Sequence, residues 1–346
     1  IADQFPGTLD HVFFTNSGSE AVDTALKMAL AYHRINGEGT RTRLIGRVNG
    51  YHGVGFGGIS VGGMVNNRKF FGSLLSGVDH MPFPYDASED AFTRGEPNSD
   101  PMKYLAELEQ MITLHDASTI AAVIVEPMVG SAGMFVPPKG YLKKLREITE
   151  KNGILLIFDE VITAFGRLGE ANAATYFDVI PDICTMAKGI NNAAVPMGGV
   201  VASNKIYDCF LDGTKAGVEF FHGYTYSAHP LAVAAGLASQ AIYKEEGIYD
   251  RVKENAKHFE DGMHSLKGCP HITDIRNIGL AGGLTIAQRD GVVGARAYDF
   301  FLKAYELGIG IRSNGDTIAV APILTSSKQE LDPIFETLQN AANEIK

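Results

Sequence analysis

Three ionisable residues stand where apolar runs end. Residues 154–160 read ILLIFDE, residues 183–189 read ICTMAKG, and AAVIVEP closes on Glu126 before Pro127. Runs this rich in branched residues are expected to be strands buried on both faces, as in a parallel sheet. Polar groups at the carboxyl ends of such strands project into the crevice where open α/β sheets bind ligands. A partly desolvated lysine such as Lys188 can lose its proton and attack a carbonyl. A fixed carboxylate such as Asp159 can hold a cationic ring nitrogen. Together they point to pyridoxal phosphate chemistry. Glu126, Asp159 and Lys188 follow one another by thirty-three and twenty-nine residues, the interval of successive βα units. A lone strand-end acid is usually a loop cap, but three in succession predict one polar rim.

Other segments carry weaker signals. FFTNSGSEA joins a strand to a helix through Ser17, Gly18 and Ser19. Free N–H groups at a helix start, two hydroxyls and a glycine make a phosphate cradle, with simple N-capping by Ser17 or Ser19 as the plain alternative. No GK[ST] follows, so this is not a Walker A loop. Gly46–Gly63 holds eight glycines in eighteen residues around Tyr51 and His52. Tyr51 could stack on a flat ligand, although a mobile loop with a packed tyrosine is the plainer expectation. Thr225 is a possible hydroxyl donor inside GYTYSA. The flanking His222 and His229 lack zinc-site spacing. Arg312, in GIGIRSNGDT, could grip a carboxylate bidentately or be an ordinary solvated arginine.

These residues need elements to hold them. From residue 11 to about 235, short apolar runs (HVFFT, AAVIVEP, ILLIFDE, ICTMAK, GGVVAS) alternate with helical stretches such as 20–35 and 141–151, the α/β arrangement. Ala21, Ala25, Met28, Ala29 and Tyr32 form a buried stripe on the first helix, and Gly37 is placed to end it. Beyond residue 230 come long helical segments and short strands (ITDIRNIG, GGLTIAQ, IAVAP), the pattern of a smaller α+β unit. The 86–100 stretch reads as a surface loop.

The 346 residues are enough for a large core and two domains. A formal charge of −10 disfavours nucleic acid and anionic membranes as partners. No apolar stretch is long enough for a membrane span. Cys184, Cys209 and Cys269 are few and scattered, so reduced thiols are expected and neither a disulfide framework nor a cysteine metal site is. Cytoplasmic location is the default expectation, since any targeting segment ahead of Ile1 is out of view.

In order along the chain, SGSEA, GYHG, the strand-end Glu-Pro, FDEVITAFGRLG, AKGINNAAVPMGG and GYTYSAHP resemble the class III pyridoxal-phosphate-dependent aminotransferases. Within them the likeness is closest to the ω-amino acid:pyruvate (β-alanine:pyruvate) transaminases. It implies fold type I of the pyridoxal-phosphate-dependent transferases. A large, mostly parallel-sheet α/β domain would occupy 1–235 and a smaller C-terminal α+β domain 236–346. The family's N-terminal segment, which supplies part of the substrate pocket, has no counterpart in this chain.

The resemblance also implies roles. Lys188 would bond covalently to pyridoxal 5'-phosphate and later shuttle a proton, and Asp159 would pair with the ring nitrogen. Tyr51 would stack on the ring with His52 beside it, and Glu126 would lie near the ring hydroxyl. Gly18 and Ser19 would bind the phosphate, completed by Thr225 of a neighbouring subunit in a homodimer or dimer of dimers. Arg312 would receive an α-carboxylate. Ala193 stands where many relatives have glycine. A ping-pong transaminase moving nitrogen from an ω-amino acid or amine donor to a keto acid is the expectation. A semialdehyde aminomutase, another ω-aminotransferase, or an inactive cofactor- or phosphate-binding fragment are the alternatives.

Overall fold

The computed structural model describes residues 1–213 and 217–346. Seven strands form the first sheet: β1 (Leu9–Thr15), β2 (Arg43–Arg47), β3 (Val78–Met81), β4 (Ile120–Val125), β5 (Leu155–Asp159), β6 (Ile183–Met186) and β7 (Gly198–Ser203). Their spatial order is β1-β7-β6-β5-β4-β2-β3. The five from β3 to β6 run parallel, while β7 is antiparallel to β6 and β1 to β7. Every residue of β4, β5, β6 and β7 is buried. Apolar runs without alternation have this outcome because both faces are covered.

Helices α1 (Gly18–Ile35), α2 (Phe56–Val61), α3 (Ala87–Asp90), α4 (Met102–His115), α5 (Tyr141–Lys151), α6 (Ala173–Tyr176), α7 (Asn204–Gly213) and α8 (Pro230–Glu245) accompany this sheet. On α1 the expected stripe is buried at Ala21, Ala25, Met28 and Ala29, and packs with Leu44, Ile124, Ile157 and Val200. Leu105, Leu142 and Leu145 of α4 and α5 join a second cluster with Val123, Leu156 and Phe158. Neighbouring residues of β4 and β5 thus enter different clusters, the alternation of a strand clothed on both sides.

Beyond α8 lie α9 (Ile248–Ser265), β8 (Ile272–Ile278), β9 (Ala281–Ile286), α10 (Ala295–Glu306), β10 (Arg312–Asn314), β11 (Thr317–Val320) and α11 (Lys328–Glu344). The four strands make an antiparallel sheet in the order β10-β11-β9-β8. Its own core gathers Phe259, Leu284, Phe300, Leu331 and Leu338. Residue 235 falls inside α8, whose Ala232 and Tyr243 pack with the first sheet, while the second core starts with Val252 of α9. Among the described residues no helix is long and apolar enough to cross a membrane.

Two local expectations change. The stretch after Asp86 is not wholly surface loop: it opens with α3, and buried Asp90 accepts hydrogen bonds from Tyr104 Oη at 3.0 Å and the Asp86 N–H at 2.8 Å. The glycine-rich run is packed structure. Gly46 lies within β2, and a Cβ there would collide with the Val61 carbonyl oxygen at the end of α2.

Candidate active site

Because β4, β5 and β6 are neighbours, their carboxyl ends share one edge. Val125 sits opposite Phe158 and Asp159 opposite Thr185. Glu126 and Asp159 are therefore level with one another, and Lys188 lies two residues past β6. All three line a crevice of about 170 Å³ with Gly18, Ser19, Tyr51, His52, Ser131, Val161 and Ile162. A wider cavity of about 590 Å³ lies between the second sheet and residues 83–87. It holds Asp274 and Tyr85 but no lysine, and the chemistry belongs to the smaller crevice.

Asp159 is held from several directions. Its Oδ2 lies 2.8 Å from His52 Nδ1, and its Oδ1 accepts from Thr185 Oγ1 at 3.1 Å and from the Val161 N–H at 3.2 Å. A buried carboxylate with three such partners keeps its orientation. Nε2 of His52, also buried, has no hydrogen-bond partner. Glu126 braces backbone: Oε1 accepts from the Tyr51 N–H and Oε2 from the Gly130 N–H, both at 3.0 Å. Burial raises its pKa, Asp159 adds to the rise, and His52 and Arg47 oppose it. Fully buried Arg47 donates to the Glu126 carbonyl at 2.7 Å, tying β2 to the end of β4.

Lys188 has a φ of +43°, a left-handed conformation that side chains rarely adopt and that clusters at functional sites. Its side chain is walled on most sides yet reaches solvent through the crevice mouth. Desolvation lowers its pKa, Asp159 and Glu126 pull the other way, and the Arg312 charge lowers it further. The amine is thus biased toward its nucleophilic form.

At the start of α1 the plain reading holds for Ser17, whose hydroxyl is the N-cap and accepts from the Glu20 N–H at 3.2 Å. Gly18 and Ser19 line the crevice. Ser19 Oγ accepts from the Val54 N–H at 3.0 Å, which leaves its own proton for an acceptor. Gly53 (φ +85°) lies so close to Ser19 that a Cβ would strike it, and this contact brings the GYHG segment against the helix start. Arg312 opens β10, exposed and outside the lining but within electrostatic reach of Lys188. Thr225 is exposed and outside the lining of this chain's crevice. His222 bonds Thr24 and His229 caps α8.

Sequence reading missed Thr185, Arg47 and the His52–Asp159 bond. A threonine inside an otherwise apolar strand three residues before Lys188 was a signal for Thr185. The other two join residues 79 and 107 positions apart, which spacing alone does not reveal.

The donor set fits pyridoxal phosphate. Among the lining residues are one amine for an aldehyde, one anchored carboxylate for a ring nitrogen and a half-buried tyrosine ring. Beside them is a helix start with a hydroxyl and free N–H groups for a phosphate. The partnerless Nε2 of His52, buried beside Asp159, is a polar atom that a ligand in this crevice could satisfy.

Comparison with known proteins agrees. The family profile "Aminotransferase class-III" matches residues 1–342. An "Omega-aminotransferase" of Caulobacter vibrioides is 53% identical over all of this chain and 78% of its own length. A "Beta-alanine--pyruvate aminotransferase" of Pseudomonas aeruginosa is 51% identical over all of this chain and 77% of its own. Among solved structures, an (S)-enantioselective ω-transaminase from Thermomicrobium roseum superposes with a TM-score of 0.91 at 32% identity, covering 98% of this chain and 76% of that one. With this rim of strand ends and a likeness running its whole length, the chain belongs to the class III aminotransferases, transaminases that depend on pyridoxal phosphate.

Proposed function

We propose that this chain moves the amino group of an ω-amino acid, β-alanine or a close analogue, to pyruvate in two half-reactions at the Asp159–Lys188 rim. The observation that carries the reading is the convergence of an anchored carboxylate and a pKa-lowered lysine on one crevice. The substrates follow from relatives that bear ω-amino acids, β-alanine and pyruvate in their names at 48–53% identity.

Pyridoxal phosphate, when bound, supplies a carbonyl that takes up nitrogen and a protonated ring that accepts the electron pair released at the donor carbon. Lys188 holds the cofactor through its Nζ and, once displaced by the donor amine, carries the proton between two carbons. Asp159, fixed by His52 and Thr185, keeps the ring nitrogen protonated. Tyr51 covers the ring, while Glu126 fixes the backbone on either side. Gly18, Ser19 and the α1 N–H groups hold the phosphate, with Ser17 acting through its cap of that helix. Arg312 grips the carboxylate of the acceptor or amino acid. In a homodimer, Thr225 of each subunit reaches the neighbouring phosphate. The division into a large and a small domain follows the two cores, with the link in the α8–α9 region.

Alanine formation from pyruvate and β-alanine tests the reading. Alanine is expected with the cofactor-loaded protein, and failure to form it with any amine donor would overturn the reading. Interconversion within one molecule without alanine would favour an aminomutase instead. Borohydride treatment of the loaded protein should fix the cofactor to Lys188, and Lys188→Ala should carry none.

A further inference from the structure

The turn that bears Thr225 is fastened to α1 by a cluster that the proposed chemistry does not use. Thr24, fully buried on α1, has its Oγ1 2.8 Å from His222 Nε2 and 3.1 Å from Tyr224 Oη. The Tyr224 hydroxyl also donates to the Glu20 carbonyl at 3.3 Å. The His222 ring stacks on Phe13 of β1 at 5.7 Å and meets Phe220 at 5.3 Å. Phe220 in turn stacks on Phe210 of α7. Burial holds His222 below the usual histidine range, so the ring is neutral and pairs with the threonine hydroxyl as donor or acceptor.

Immediately beyond this anchor the chain turns. The Ser227 N–H and hydroxyl both donate to the Tyr224 carbonyl, at 3.2 and 3.0 Å. Thr225 and Tyr226 form the tip, both exposed, with Tyr226 at 72%. A tip of two residues on a base tied by side chains at 222 and 224 has little freedom to swing. The polar ties end on Thr24 and Glu20, in the first two turns of the helix whose Gly18 and Ser19 line this chain's own crevice.

We propose that Thr24, His222 and Tyr224 are positioning residues that set Thr225 at the height and angle needed by the neighbouring subunit's cofactor phosphate. This rests on the inter-subunit role given to Thr225 above. One helix thereby serves two active sites: its start cradles its own subunit's phosphate, and its second turn aims a hydroxyl at the partner's. A neutral hydrogen bond of this kind is worth enough to change retention by about five- to tenfold.

The test is cofactor release from mixed dimers. One subunit carries Lys188→Ala, so its own site cannot hold the cofactor covalently, together with Thr24→Val, which removes the hydroxyl and keeps the shape. The other subunit is unaltered, and loss of cofactor from its site into buffer is followed by absorbance. Release about five- to tenfold faster than from mixed dimers carrying Lys188→Ala alone is expected, with Thr24→Ser in place of Thr24→Val restoring the slow rate. An unaltered site that releases at the normal rate overturns the proposal, provided that Thr225→Ala in the same arrangement does speed release. If Thr225→Ala is also without effect, the inter-subunit role of Thr225 itself fails. Matched thermal unfolding of the Thr24→Val and Thr24→Ser proteins is expected. A change in release that tracks a loss of folding in both would count against a positioning role.

Discussion

At the scale of single residues, the site works by opposed electrostatic influences on one amine. Burial and the Arg312 charge push Lys188 toward its neutral form, while Asp159 and Glu126 favour its protonated form. The neutral amine is the reactive one, and its fraction rises with pH. The rate at which cofactor-free protein takes up pyridoxal phosphate should therefore rise with pH around a midpoint below that of an ordinary lysine. Arg312→Gln removes a nearby positive charge, stabilises the protonated amine and should move that midpoint upward. Asp159→Asn removes an attractive negative charge and should move it downward. Stopped-flow uptake across a pH series checks both signs, and a downward shift for Arg312→Gln would contradict the account.

At the scale of elements, the loop after Lys188 holds its shape under strain. Asn192 and Ala193 have φ of +54° and +60°, and an alanine in this region pays the Cβ–carbonyl crowding that glycine avoids. Ala193→Gly should raise stability by roughly 1 kcal/mol, read as a higher melting temperature with Lys188 still able to bond the cofactor. The position was legible as a departure from relatives, but its left-handed backbone was not. The buried strands were legible for a physical reason: β4 to β7 are covered on both faces, so their composition alone declares them. β2 and β3 escaped because RLIGR and VDHM contain two apolar residues each, and Asp79 is taken up by an ion pair with Arg43. The rim of Glu126, Asp159 and Lys188 could be read because adjacent parallel strands follow one another at regular intervals. Its braces at His52 and Arg47 could not, since they arrive from another part of the chain.

For the whole molecule, the second sheet is bound to the crevice walls by a buried ion pair. Asp274 of β8 pairs with Arg276 at 2.7 Å, accepts from Tyr85 Oη at 2.5 Å and from the Phe92 N–H at 2.8 Å. Arg276 donates to the Gly133 carbonyl at 2.8 Å and lies over the Phe135 ring at 3.6 Å. Both charged groups are almost fully buried, and removing one partner leaves the other uncompensated. Asp274→Ala should cost about 3 kcal/mol or more, measured as a lower denaturation midpoint. It should also loosen the 129–135 segment, seen as faster amide exchange there.

The three strands that carry Glu126, Asp159 and Lys188 act as a ruler. Hydrogen-bonded neighbours in a sheet are held roughly 4.8 Å apart, so the rim spans about two such steps whatever side chains are chosen. A flat ring fits that gauge, and no substitution on the rim can stretch it without parting the sheet. Breadth of substrate must then be tuned above the rim, in the 129–135 and 49–66 segments, and that is where selection for bulkier amines would leave its changes.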